Sequence, residues 1–164
     1  MKEWTGIEIE RATQELERAS ATLLGRMLFE FSRLDMALGL MLVWSSGGQQ
    51  VSELTSKIQE FGFSKKLDFL ATLAKTKFRE QGGTESPYAQ WLDDADALRQ
   101  VRNELVHGRW GVEPTKNRVI NVIGLPTSPS QRTVEYTTDD LKHVVERLVQ
   151  LQRRLSTLRL QSPL

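Results

Sequence analysis

Three side chains of different chemistry share one short stretch, Arg102-Asn103-Glu104-Leu105-Val106-His107. The imidazole of His107 can give or take a proton near neutral pH. The planar guanidinium of Arg102 matches phosphate oxygens and stabilises negative charge building on them. An amide at Asn103 completes a set suited to phosphodiester chemistry. Asn103 and His107 stand four residues apart, on one helix face, where the amide can orient the imidazole. Arg102 is offset from His107 by about 140°, and its long side chain can reach round the final turn. The plainer alternative is a histidine that only complements the dipole at a helix C-terminus.

The element carrying these residues is a helix opened by Glu85-Ser86-Pro87 and running to Val106 or His107, with Gly108 turning the chain out. Its inward stripe is Trp91, Leu92, Ala95, Leu98, Val101 and Leu105. Arg102 falls between Leu98 and Leu105, on that face. A desolvated guanidinium needs an anion, because leaving it unpaired costs several kcal/mol. Asp35, set between Phe31 and Leu38 on the other strong apolar stripe, is the expected partner, with Glu30 and Asp94 behind it. Such a pair would equally serve as a salt bridge without chemistry, and Arg102 could instead extend its stem to solvent.

The surrounding elements follow from periodicity. Residues 1–7 read as a lead, and a long helix is expected from about Ile9 to Trp44, ended by Ser45-Ser46-Gly47-Gly48. A short helix covers about Ser52 to Phe61, and Ser64 caps a third that reaches Glu80 and stops at Gln81-Gly82-Gly83-Thr84. After Gly108 the pattern changes. Trp110 and Val112 alternate, Pro114 to Asn117 turns, and Arg118 to Ile123 is β-branched, so a β-hairpin is expected, with Arg132 to Tyr136 as a third strand. Thr137-Thr138-Asp139-Asp140 starts the last helix, whose seam is Leu141, Val144, Val145, Leu148, Leu151, Leu155 and Leu158. The fold class expected is mainly α: a four- to five-helix bundle with a β-hairpin inserted before the last helix. It forms one domain over residues 1–164, with the insertion at about 109–136. The apolar seams of the first and last helices are long enough that part of one can serve an interface between copies.

Composition narrows the chemistry further. There is no cysteine, so disulfides and thiolate sites are excluded, and with two histidines, His107 and His143, a His-based zinc site is not expected. His143, off the seam of the last helix, reads as solvated, and the four tryptophans are not clustered as a stacking platform. No apolar run is long enough to span a membrane, and Met1-Lys2-Glu3-Trp4 leads into charged sequence, so a cytoplasmic protein is expected. Residues 1–98 carry 11 basic against 15 acidic residues, a net of −4; residues 99–164 carry 11 against 6, a net of +5. The basic half begins at the Arg102 stretch, where a polyanionic partner would meet it, with Arg109 and Trp110 as candidates for holding substrate. Charge alone fits an unevenly solvated surface as well.

Arg102-Asn103-x-x-x-His107 resembles the R-x4–6-H motif of the HEPN superfamily, in which a polar residue commonly follows the arginine and the motif closes a helix of a four- or five-helix bundle. Residues from about 20 to 160 are compatible with that fold. The resemblance implies a metal-independent endoribonuclease without cofactor, often a toxin or antiviral defence effector, restrained by an antitoxin or other inhibitor protein. It also implies a homodimer whose two motifs face each other across a cleft that takes RNA. Carried over, His107 acts on the 2′-hydroxyl or the leaving 5′-oxygen, Arg102 holds the scissile phosphate, and Asn103 helps position the groups. In the toxin branch paired with a nucleotidyltransferase antitoxin, a tyrosine stands two residues after the histidine. Here Arg109 stands there, so control through that tyrosine is not implied. The same resemblance allows a module that keeps fold and motif but serves only binding or dimerisation.

Overall fold

Caps and strand registers fix where each element begins and which side chains share a face. The structure, a computed structural model, describes residues 3–83 and 85–164. Among these residues the chain is mainly helical, with five α-helices: α1 (Gly6–Val43), α2 (Val51–Ile58), α3 (Phe63–Glu80), α4 (Ala89–His107) and α5 (Thr138–Gln161). Strands β1 (Arg109–Glu113), β2 (Arg118–Ile123) and β3 (Arg132–Tyr136) form an antiparallel sheet in the order β1-β2-β3, before the last helix in sequence. The expected third strand is therefore part of the sheet. The chain divides into two compact units: residues up to Phe29 with Val101–Glu146, and Glu30–Gln100 with Arg147–Leu164. Among the described residues no helix is long and apolar enough to cross a membrane.

In the first unit, reciprocal caps set where helices start. Thr5 N–H donates to Glu8 Oε2 at 2.9 Å while Glu8 N–H donates to Thr5 Oγ1 at 3.3 Å, so α1 begins at Gly6 rather than near Ile9. Met1 and Lys2 of the expected lead lie outside the described residues. The same device opens α5, where Thr137 N–H reaches Asp140 Oδ2 at 2.7 Å and Asp140 N–H reaches Thr137 Oγ1 at 3.0 Å. These bonds hold the Asp140 carboxyl below the usual aspartate range, the backbone Thr137 bond contributing most.

The sheet register puts Trp110, Asn121 and Val134 in one row and Val112, Val119 and Tyr136 in the next. All six side chains therefore share one face. On that face Val119 and Asn121 are fully buried. Glu17, Ser20, Ala21 and Leu24, one stripe of α1, meet Trp110, Val112 and Val119 round a pocket of about 320 Å³. Ser20 is buried there with its hydroxyl donated to Leu16 O at 2.6 Å.

In the second unit the core is aliphatic with aromatic ties. Leu34, Leu38, Met41 and Leu42 of α1 are buried, as are Leu54 and Ile58, Leu67, Leu70 and Ala74, and Leu148, Leu151 and Leu155. Phe31 meets Phe63 with ring centroids 4.8 Å apart. That contact accounts for α3 starting at Phe63, with Gly62 extended at its cap and no side-chain cap from Ser64. Trp91 donates its indole N–H to Leu151 O at 2.9 Å, and the Tyr88 hydroxyl donates to Ser162 O at 2.9 Å. Helix α4 begins at Ala89, two residues past Pro87, because Tyr88 N–H and Ala89 N–H bond Ser86 in a turn first. At the end of α3, Gly82 (φ 77°) makes the expected stop; Thr84 of that stop lies outside the described residues.

Candidate functional site

The motif occupies the last turn and a half of α4, in the first unit, where an α-helix leaves four carbonyls without intrahelical donors. The hairpin binds two carbonyls of this turn, Leu105 O and Glu104 O, the latter also accepting the Gly108 N–H at 3.1 Å. Asn121 Nδ2, from the centre of β2, donates to Glu104 O at 3.1 Å, and Trp110 Nε1, from β1, donates to Leu105 O at 2.9 Å. The Trp110 ring leans on Tyr136 at 5.9 Å, and burial first, then the Glu104 charge, raises the Tyr136 hydroxyl above its ordinary pKa. Glu104 itself forms an ion pair with Arg132 of β3. Every strand thus bonds or packs against the end of the motif helix.

Gly108 has a role different from the one its sequence position predicts. Its φ is not in the left-handed region, so no glycine is demanded by backbone conformation. What demands it is space: a Cβ at 108 would lie 1.6 Å from Asn121 Oδ1 and 2.3 Å from Asn121 Cγ. Asn121 Oδ1, buried and without a conventional hydrogen-bond donor, faces the glycine Cα hydrogen in that gap. Sequence reasoning missed Asn121, although a polar residue amid Val119-Ile120-Asn121-Val122-Ile123, on the inward register, is the kind of exception that signals a buried polar partner.

Arg102 and Asn103 are half-buried and bonded to each other, Arg102 Nη1 donating to Asn103 Oδ1 at 3.1 Å. The amide expected to orient His107 has therefore turned its oxygen to the guanidinium. His107 is exposed, and among the described residues no side chain or backbone group hydrogen-bonds its ring. Arg109, next along, is exposed and lays Nη2 against Gly124 O at 3.4 Å. Trp110 is turned inward as a peg on α4.

The carboxylates considered for Arg102 all have partners inside the second unit. Asp35 Oδ1 accepts from Lys66 Nζ at 2.7 Å. Lys66, only 9% exposed, reaches it beside Gly39, where a Cβ would lie 3.7 Å from Nζ. The lysine was hidden in sequence because it follows Lys65 at a helix start, where a charged pair reads as solvated. Glu30 is held by Arg33 at 2.5 Å and by Gln152 Nε2 at 3.0 Å. Asp94 is held by Arg154 at 2.5 Å, a bond that lowers its pKa, with help from Gln90.

Much of the basic excess after residue 99 is also compensated locally, through Arg132–Glu104, Lys116–Glu113 at 2.8 Å and Arg154–Asp94. Arg109 has no carboxylate within salt-bridge distance among the described residues, which leaves its charge to solvent beside His107. His143 is exposed, 4.0 Å from Glu146. Among the described residues no three histidine, aspartate or glutamate side chains converge as a metal cage. No family model, characterised protein or solved structure matches the chain.

Proposed function

We propose that this chain is a HEPN-like endoribonuclease that cleaves RNA without a metal, through Arg102, Asn103 and His107 supplied by two copies. His107 removes the proton from a ribose 2′-hydroxyl, and that oxygen attacks the adjacent phosphorus in line. Arg102 holds the non-bridging oxygens, where charge accumulates. The P–O5′ bond breaks, and an imidazolium, of the same copy or its mate, protonates the departing 5′-oxygen. The products are a 2′,3′-cyclic phosphate and a 5′-hydroxyl. Asn103 is assigned to fixing the guanidinium, as the Arg102–Asn103 bond supports. In this reading the chain is a toxin or defence effector held in check by an inhibitor protein.

The observation that carries this reading is an imidazole left exposed on a turn that is otherwise tied down. Glu104 O and Leu105 O are bound by hairpin side chains, while His107 and Arg109 stay open to a large polyanion. The test is cleavage of single-stranded RNA by purified protein in excess EDTA, lost in His107→Ala and Arg102→Ala that keep the wild-type circular dichroism. The alternative, a HEPN-like binding or dimerisation module, is favoured by one feature: no group among the described residues orients the His107 ring. Wild-type protein that binds RNA or itself and cuts nothing would establish it.

A further inference from the structure

A strand at the margin of a sheet presents a row of main-chain donors and acceptors that another strand can take up. In the first unit β1 is such a margin. The order β1-β2-β3 leaves one of its sides without a neighbouring strand, and among the described residues no backbone–backbone hydrogen bond is made on that side. The devices that usually blunt an edge are missing from Arg109-Trp110-Gly111-Val112-Glu113. It has no proline, its register with β2 runs through all five residues without a bulge, and no charged side chain points to the α1 side.

The cavity of about 320 Å³ between α1 and the sheet lies against this edge. Trp110 and Val112 point toward α1, so Gly111 points to the opposite face. Gly111 nevertheless lines the cavity, which it can do only with its main chain. The hollow therefore reaches the backbone of β1. On the other face Gly111 is exposed, and nothing lies within 4 Å of a Cβ placed there. Glu17 is the one charged residue on the cavity wall. It is exposed, and its carboxylate has no ion-pair or hydrogen-bond partner among the described residues.

We propose that β1 takes an extended peptide of a partner protein as an added strand, with one large apolar side chain seated in the cavity and a basic side chain meeting Glu17. Strand addition of this kind draws affinity from main-chain bonds and selectivity from alternate side chains. Side chains two residues apart on the added strand share a face, so the anchor and the basic residue both reach the α1 side. Ala21, Leu24, Val112 and Val119 make the walls apolar, and the small Ser20 and Ala21 on α1 leave the room. The volume sits at the lower end of the ~300–1,000 Å³ of ligand pockets, which suits a single side chain. An uncompensated carboxylate at the rim favours a cation beside that anchor. The cavity favours β1 over β3, the other edge of the sheet. β1 also carries the Trp110 peg on the motif turn, but strand addition needs none of the chemistry there, so peptide binding and RNA cleavage can fail independently.

The probes are fluorescein-labelled peptides matching the five residues of β1 in length, read by anisotropy against the full chain. Each is a threonine frame with valine, leucine, methionine or phenylalanine at its centre and lysine at one end or the other. At least one is expected to saturate below ~1 mM and to weaken by ~10-fold or more when its central residue is alanine. N-methylation of one alternate set of its amides should abolish binding, and of the other set should not, because only one set faces β1. Ala21→Leu, at an exposed position, fills the cavity and should weaken binding by ~10-fold or more with the helical spectrum unchanged. Glu17→Lys should weaken the lysine peptide, and glutamate in place of that lysine should restore binding. Leu160→Glu, 85% exposed and in the second unit, should change nothing. Failure of every peptide to saturate at ~1 mM overturns the proposal. So does binding indifferent to Ala21→Leu, or indifferent to both methylated sets, which would mean an apolar ligand held by the cavity alone. A mass of twice 18.7 kDa that Ala21→Leu abolishes would mean that a second copy fills the edge, and overturns it as well.

Discussion

Replacing Gly108 by alanine tests how the hairpin fixes the end of the motif helix. The new methyl would meet the Asn121 side-chain amide, Oδ1 at 1.6 Å, Cγ at 2.3 Å and Nδ2 at 2.6 Å. Asn121 is 0% exposed, so relief requires shifting β2 or giving up the Asn121–Glu104 bond. Overpacking of this kind costs about 1–3 kcal/mol, and a buried amide losing its partner adds about 1–3 kcal/mol. A loss of about 3 kcal/mol is expected, since one relaxation relieves part of both. Gly111 is the internal control: nothing lies within 4 Å of a Cβ there, so Gly111→Ala should change stability by less than about 0.5 kcal/mol. The assay is urea unfolding followed by tryptophan fluorescence. Asn121→Ala is expected to cost about 1–2 kcal/mol alone and to absorb most of the Gly108→Ala penalty in the double variant. A glycine needed only for a left-handed cap would behave differently: its substitution would cost about 1 kcal/mol, and Asn121→Ala would not rescue it. Additive losses in the double variant would refute the steric account.

At the Asp35–Lys66 pair, Asp35→Asn should cost more than Lys66→Met, by about 1 kcal/mol or more. The first strands an ammonium whose side chain is 11% exposed, the second a carboxylate that is 36% exposed and can rehydrate; equal costs in denaturant melts would contradict this. Thr137→Ala should lose about 1 kcal/mol of stability at pH 7 by removing the two cap bonds made by its hydroxyl at α5, while the Thr137 N–H bond to Asp140 stays. The Asp140 carboxyl is depressed in the folded chain, so its contribution is complete above the ordinary aspartate pKa of about 3.9 and is lost as pH falls through the folded value. Asp140→Asn should therefore flatten the acid limb of the stability–pH curve below about pH 4 and leave its shape near neutrality unchanged. Tyr136 should ionise above the pKa of 10.0 usual for tyrosine, visible as a late phenolate band in ultraviolet titration; Glu104→Gln should bring that ionisation down.

How much of this was legible beforehand varies with what each residue's role depends on. Helix periods were readable because apolar spacing is local: α1, α4 and α5 and the β-branched strands all occur where the pattern puts them. Helix starts were less readable, since Thr5 with Glu8 is a capping box that a polar lead conceals, while Phe63 draws α3 two residues earlier than a Ser64 cap would. Ion pairing was the weakest point. Asp35 was correctly singled out as an exception on an apolar stripe, but its partner depends on which helix packs beside it. Lys66 carried no mark of burial in its own neighbourhood. Asn121 and Gly108 illustrate the same limit: each looks ordinary in isolation, and only the three-dimensional approach of β2 to the end of α4 shows why one is an amide and the other lacks a side chain. Arg102, Asn103 and His107 could be grouped from spacing, whereas the turn of the Asn103 oxygen toward Arg102 rather than His107 could not.

The most direct test of the central claim is the chemistry of RNA ends after incubation with wild-type protein and His107→Ala in excess EDTA. Wild type should produce 2′,3′-cyclic phosphate and 5′-hydroxyl termini, and loss of the imidazole should slow cleavage by about 100- to 10,000-fold. RNA left intact by the wild type, or cut as fast by His107→Ala, would contradict it.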